Sequence, residues 1–171
     1  MADSRVTGYA DALFAVAAAE GELATVEDEL FRFAQTLRSD EQLGSTLADQ
    51  GVPASRRQQV VEDLLSGKAS ATTTALVSMV VGAGRAADLP AIVDALVERS
   101  AASRNKSVAT VRAAGDLTAE QRDRLASAIN TRTGRDVEIK VVIDPTVLGG
   151  VVTEIGAVSY THLTLPTILL V

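Results

Sequence analysis

With 171 residues, 47% hydrophobic content and 3% aromatic residues, the chain has apolar material for one or two compact domains, built of helices packed through small side chains. Its formal charge of −6 is uneven: residues 1–105 carry nine Lys+Arg against fifteen Asp+Glu, while residues 106–171 carry seven of each. An acidic first region repels phosphate backbones and anionic lipid, which argues against nucleic acid and direct membrane insertion, and the lack of cysteine excludes disulfides, thiolate metal sites and cysteine nucleophiles.

The start, Met1-Ala2-Asp3-Ser4, has neither the basic region and apolar core of a secretory signal nor the Arg-rich look of a transit peptide. No stretch reaches the roughly 18 to 20 apolar residues of a membrane span. Val6, Tyr9, Ala10, Leu13, Phe14 and Ala17 draw one apolar stripe along a first helix, with Phe14 expected in the core. Gly21 interrupts it, and Leu23, Val26, Leu30, Phe33 and Leu37 give a second helix that pairs with the first. Ser39 and Gln42 resemble a capping box for a short third helix, and Gly51 and Pro53 mark a stop and a new start. A fourth helix carries Val60, Val61, Leu64 and Leu65. Thr74 to Val81 is apolar on nearly all sides, as in a central bundle helix, and Leu89, Ile92, Val93, Leu96 and Val97 form the stripe of a sixth, with Pro90 in its first turn.

The period changes after a small, polar stretch, Ser100 to Ser107, read as a helix end and linker. Val108 to Ala113 fits a strand, and Thr118 with Gln121 is a capping-box signal for a helix carrying Leu125 and Ile129 that Gly134 ends. Val137, Ile139, Val141 and Ile143 alternate with polar neighbours as a half-exposed strand does, and Leu148 to Ile155 gives a third strand. The expected fold is mostly α: a six-helix bundle over residues 1–105, then a small, incomplete α/β domain (βαββ) over 106–156.

Candidate chemistry is sparse. Gly82, Gly84 and Ala87 match G-x-G-x-x-A, which would mark a dinucleotide enzyme only if a strand preceded them; a helix ending at Gly82 to Gly84 is the alternative. His162, the single histidine, has no nucleophile or metal partner in the pattern. The acidic pairs Asp28-Glu29, Asp40-Glu41 and Glu62-Asp63 fall on polar helix faces and read as solvated surface. No catalytic residue, metal site or cofactor is expected.

Three segments in order, Tyr9-Ala10-Asp11-Ala12-Leu13-Phe14, Gly84-Arg85 entering Leu89-Pro90, and Asp144-Pro145-Thr146-Val147-Leu148-Gly149-Gly150-Val151-Val152, resemble the ATP synthase delta/OSCP family. The resemblance covers residues 5 to about 156 and implies a non-catalytic stator subunit of a proton-translocating F-type ATP synthase. It implies a peripheral protein on the cytoplasmic face of the bacterial plasma membrane. The helical domain would receive the N-terminal helix of an alpha subunit between its first and fifth helices, and the smaller domain would meet the b subunits of the peripheral stalk. On this chain the resemblance puts that groove at Ala10, Ala17 and Ser78 as floor and Leu13 and Val81 as walls. A free-standing helical adaptor and an NAD-binding oxidoreductase are the alternatives. Residues 157–171 depart from the family pattern and read as a non-native tail rather than evolved protein.

Overall fold

The computed structural model describes residues 4–104, 106–147, 150–155 and 158–159. The chain separates into two compact units, Met1–Ser100 and Ala101–Val171. The fold class is the expected one, mostly α with a small α/β part. Among the described residues no helix is long and apolar enough to cross a membrane.

The first unit is built from α1 (Ser4–Ala19), α2 (Leu23–Ser39), α3 (Glu41–Ala48), α4 (Ala54–Leu65), α5 (Ala71–Gly82) and α6 (Leu89–Ser103), with a 3-10 turn at Ala86–Asp88 leading into α6. Val26, Leu30, Phe33 and Leu37 of α2 are all buried, and α2 packs against α1, α3 and α5. The other main pairing is α4 on α5. Gly21 takes φ +71° just past α1, a left-handed conformation that lets the chain turn into α2.

Several local expectations change. The cap of α3 is Asp40, whose Oδ1 accepts from Leu43 N–H at 2.9 Å, while Ser39 closes α2 with its hydroxyl on Thr36 O at 3.0 Å. A carboxylate beside the positive helix end outcompetes a hydroxyl one residue earlier. Helix α5 begins before Thr74, because Ser70 Oγ accepts from Thr73 N–H at 3.1 Å and so caps it at Ala71. It is not enclosed on all sides: Met79 is 45% exposed. The polar stretch from Ser100 is not yet a linker. α6 runs on to Ser103, Ser100 is buried, and its hydroxyl donates to the buried Glu27 Oε2 at 2.6 Å. Phe14 is only half-buried, with the Arg99 guanidinium 5.3 Å from its ring centroid and Arg99 Nε also donating to Asp11 Oδ1 at 3.1 Å.

The second unit holds β1 (Ser107–Ala113), α7 (Ala119–Thr133), β2 (Val137–Ile143), β3 (Val152–Ile155) and β4 (Val158–Ser159). The sheet order is β2-β1-β3-β4, with β1 parallel to β2 and antiparallel to β3. The capping box of α7 is complete: Thr118 Oγ1 accepts from Gln121 N–H at 3.2 Å, and Gln121 Oε1 accepts from Thr118 N–H at 2.9 Å. Leu125 and Ile129 of α7 cover Ala109, Val111 and Ile155 on one face of the sheet. The third strand starts at Val152, later than expected, and Leu148 and Gly149 lie outside the described residues. A short fourth strand, paired to β3 through Glu154↔Ser159 and Ile155↔Val158, adds to the expected βαββ order. Residues 160–171, with His162, lie outside the described residues.

Candidate functional site

All five residues expected to line a groove are buried: Ala10, Leu13 and Ala17 on α1, and Ser78 and Val81 on α5. Their side chains pack inside the unit, so they support α1 and α5 from beneath. Part of the outward surface of the same helices is also apolar. On α1, Gly8, Ala12, Ala15, Val16 and Ala19 are exposed, with Val16 at 42%. On α5, Ala71, Ala75 and Met79 are exposed at a spacing of four, which sets them in one row along the helix. Both helices pack on α2. The family resemblance points to α1 and α5, and small residues beside larger ones suggest a groove floor, but the residue types alone do not say which of them face inward. On α5 the exposed row is legible only as Ala71, Ala75 and Met79 at a spacing of four, a pattern that also fits ordinary surface.

Side chains from other elements hold both ends of α5. At its N-terminus, the Glu29 carboxylate of α2 accepts from Ser70 N–H at 3.0 Å, from the Ser70 hydroxyl at 3.0 Å and from the Thr73 hydroxyl. Partial burial pushes the Glu29 carboxyl up, but the hydrogen bonds from Thr73 and Ser70, helped by the charge of Arg32, hold it below the usual carboxylate range. Two acidic residues expected at the solvated surface therefore do structural work: Glu29 joins α2 to α5, and Asp40 caps α3.

At the C-terminal end, Arg57 of α4 is 4% exposed and donates to Val81 O at 3.0 Å, Leu47 O at 3.3 Å and Val52 O at 3.1 Å. One guanidinium thus serves the last turns of α3 and α5, where carbonyls lack helical donors and a cation is favoured. Gln58 Nε2 donates to Ser78 O at 3.1 Å, and Gln50 Nε2 to Gly84 O at 3.1 Å. These contacts explain the glycines that resemble a dinucleotide motif. A Cβ at Gly82 would lie within 2.9 Å of Gln58 Cδ, and Gly84 sits at φ +76° with Gln50 Nε2 2.9 Å from where its Cβ would be. Val77 to Val81 is helix, so no strand precedes the glycines and the dinucleotide geometry does not form. Among the described residues no three acidic or histidine side chains converge as metal ligands would.

Comparison with known proteins gives this arrangement a family. The chain is 38% identical to the ATP synthase subunit delta of Salinispora tropica over 149 residues, 87% of this chain and 54% of that protein. It is 38% identical to the ATP synthase subunit delta of Nocardia farcinica over 156 residues, 91% of this chain and 58% of that one. The chain thus spans about half the length of the curated relatives it matches. In fold it is similar to a chain in the cryo-EM structure of the Toxoplasma gondii mitochondrial ATP synthase hexamer, with a TM-score of 0.56 at 22% identity, covering 85% of this chain and 83% of that one. Residues 6–160, which take in the bundle, the central strand β1 and both of its neighbours, match the family model described as ATP synthase delta (OSCP) subunit, and the chain belongs to that family.

Proposed function

We propose that the chain is a non-catalytic stator subunit of an F-type ATP synthase, tying the catalytic head to the peripheral stalk and resisting the torque of the rotor. Membership of the delta (OSCP) family supports the reading, and one observation carries it on this chain: α1 and α5 present uncharged apolar rows to solvent, with Val16 and Met79 their largest members. Such rows suit an amphipathic helix laid along them. The occupant in this reading is the N-terminal helix of an alpha subunit. Ala10, Leu13, Ala17, Ser78 and Val81 act from below, fixing how closely α1 and α5 sit on the core. The smaller unit meets the b subunits, and the assembled protein lies peripherally on the cytoplasmic face of a bacterial plasma membrane.

The test is a titration of the chain with a labelled peptide of the alpha-subunit N-terminus. Met79→Asp puts a charge into the apolar row and is expected to weaken binding at least about tenfold, as an unpaired charge at an interface centre does, with the helical circular dichroism unchanged. Unaltered affinity would remove α5 from the site. Enlarging the buried Ala10 to Leu is expected to lower stability instead, because its side chain lies in the packed interior, where added methylenes force neighbours out of place. Co-purification with alpha and b subunits from cells separates the stator from a free-standing adaptor.

A further inference from the structure

Strand β2 closes one side of the sheet, and among the described residues β1 alone pairs with it. The β1 ladder runs through alternate residues: Ser107 N–H donates to Asp136 O at 2.9 Å, and Asp144 N–H donates to Ala113 O at 2.8 Å. The register between them is unbroken from Ser107↔Val137 to Ala113↔Ile143. Val137, Ile139, Val141 and Ile143 therefore turn their backbone N–H and C=O groups outward. This edge has none of the usual protections of proline, bulge or short length, being seven residues without a break.

The apolar layer under α7 is also incomplete on that side. Ala109, Val111 and Ala113 of β1 are buried, yet their register partners Ile139 and Val141 are half-buried and Ile143 is 59% exposed. Burial falls away across one strand spacing, and a further strand beside β2 would restore it. Glu138 and Lys140 lie on the opposite face, two residues apart and ion-paired at 3.5 Å, with Arg104 also donating to Glu138 Oε2 at 2.6 Å.

We propose that free copies of this chain associate through β2, pairing antiparallel with Ile139 opposite Ile139 of the second copy. This register sets Glu138 opposite Lys140 of the second copy, and Lys140 opposite its Glu138, so pairing moves Lys140 from the carboxylate of its own strand to that of the partner strand. It also joins the outward backbone groups of Val137, Ile139 and Val141 to those of Val141, Ile139 and Val137. Moving the centre by one residue sets Glu138 against its own counterpart, or Lys140 against its own, and like charges directly opposite repel. The lysine that would guard an edge strand thus selects the register instead of preventing pairing. The sequence of β2 is complementary to itself, and that commits the occupant to a second copy.

Two measurements test this on the 171-residue chain. In sedimentation velocity, the chain is expected to move from monomer towards dimer between about 5 and about 500 µM, the range of a modest interface. Lys140→Glu and Glu138→Lys are each expected to remain monomeric with unchanged circular dichroism, and a 1:1 mixture is expected to form dimers, because only the mixed pair sets opposite charges across the strands. Hydrogen exchange supplies the second arm and needs no substitution. The amides of Ile139 and Val141 are expected to slow at least about tenfold over the same range as their outward N–H groups become paired. Either of three results overturns the proposal: a wild-type chain monomeric throughout, association that both substitutions leave intact, or outward amides that exchange at one rate at every concentration.

Discussion

Among the described residues the guanidinium of Arg57 is bonded to three carbonyls and to no carboxylate, and two of those carbonyls, Leu47 and Val81, lie in last helical turns where the dipole favours a cation. Arg57→Met would leave the carbonyls of Leu47, Val52 and Val81 without that donor inside the unit. The expected loss is about 3 kcal/mol in urea unfolding, and Arg57→Lys should recover little of it, because one ammonium cannot reproduce the planar fork. Nothing in the run Arg56-Arg57-Gln58-Gln59 distinguishes the second arginine from the first. Burial separates them, and burial depends on where α3 and α5 end. Glu29 poses the same problem in acidic form. Its folded pKa lies below its unfolded one, so its contribution is fully present above the unfolded value and is lost as pH falls through the folded value. Asp116, held down chiefly by the Arg122 guanidinium, and Asp144, held down chiefly by the Thr146 hydroxyl, share that direction. Stability is expected to decline on acidification below about pH 4.5, the ordinary carboxylate range, and Glu29→Gln should flatten part of that decline while costing about 1 kcal/mol at neutral pH. Thermal unfolding of the pair across pH 3 to 7, an interval set by about that range, checks both statements.

Helix α5 has little in its own sequence to fix its limits. Ser70 is a local cap, but the remaining constraints arrive from Glu29, Gln50, Arg57 and Gln58 on three other segments. Gly84 marks the C-terminal limit, since its φ of +76° is unfavourable for any side chain and Gln50 lies against it. Gly84→Ala is expected to cost about 1 to 2 kcal/mol, seen as a lower urea midpoint with an unchanged slope. Helix α7 is the opposite case. Its capping box, its Leu125 and Ile129 stripe and its Gly134 stop are all local, and each was readable from the sequence. β2 is an intermediate case: its span was readable, but its burial does not alternate, running from the buried Val137 through half-buried residues on both faces to the exposed Ile143. What the sequence left unread was set by partners distant in the chain: the N-cap competition at Asp40, the early start of α5, the continuation of α6 past Ser100, and the half-exposed seat of Phe14 beneath Arg99. The exposed rows on α1 and α5 were unread for a different reason, because alanine at a surface carries no periodic signal of its own.

At the scale of the molecule, the end of the first unit falls inside α6, whose last turn continues past Ser100 to Ser103. A fragment of residues 1–103 keeps that turn together with the buried Ser100 and Ala101. It is expected to unfold in one cooperative transition, within about 1 kcal/mol of the corresponding transition of the whole chain. A fragment ending at Arg99 loses the Ser100 hydroxyl from Glu27 and is expected to be about 2 kcal/mol weaker, as loss of a hydrogen bond to a charged group implies. Equal stability of the two fragments would show that this bond contributes nothing. The two-part organisation was visible as the change of period near residue 105. The order of the strands was not, because alternation reports which face of a strand is covered and says nothing of its neighbours. That order has a consequence in time. β1 is an inner strand, yet both strands that flank it are made after it: Ser107 waits for Val137, thirty positions further on, and for α7 to bring it back. The bundle has its own delay, since Glu27 meets Ser100 only after 73 more residues. On a ribosome, the bundle cannot close until α6 has emerged, and β1 follows at once with both edges still open. The most exposed moment in the life of this chain is therefore the synthesis of α7, when a folded bundle trails an unpaired central strand.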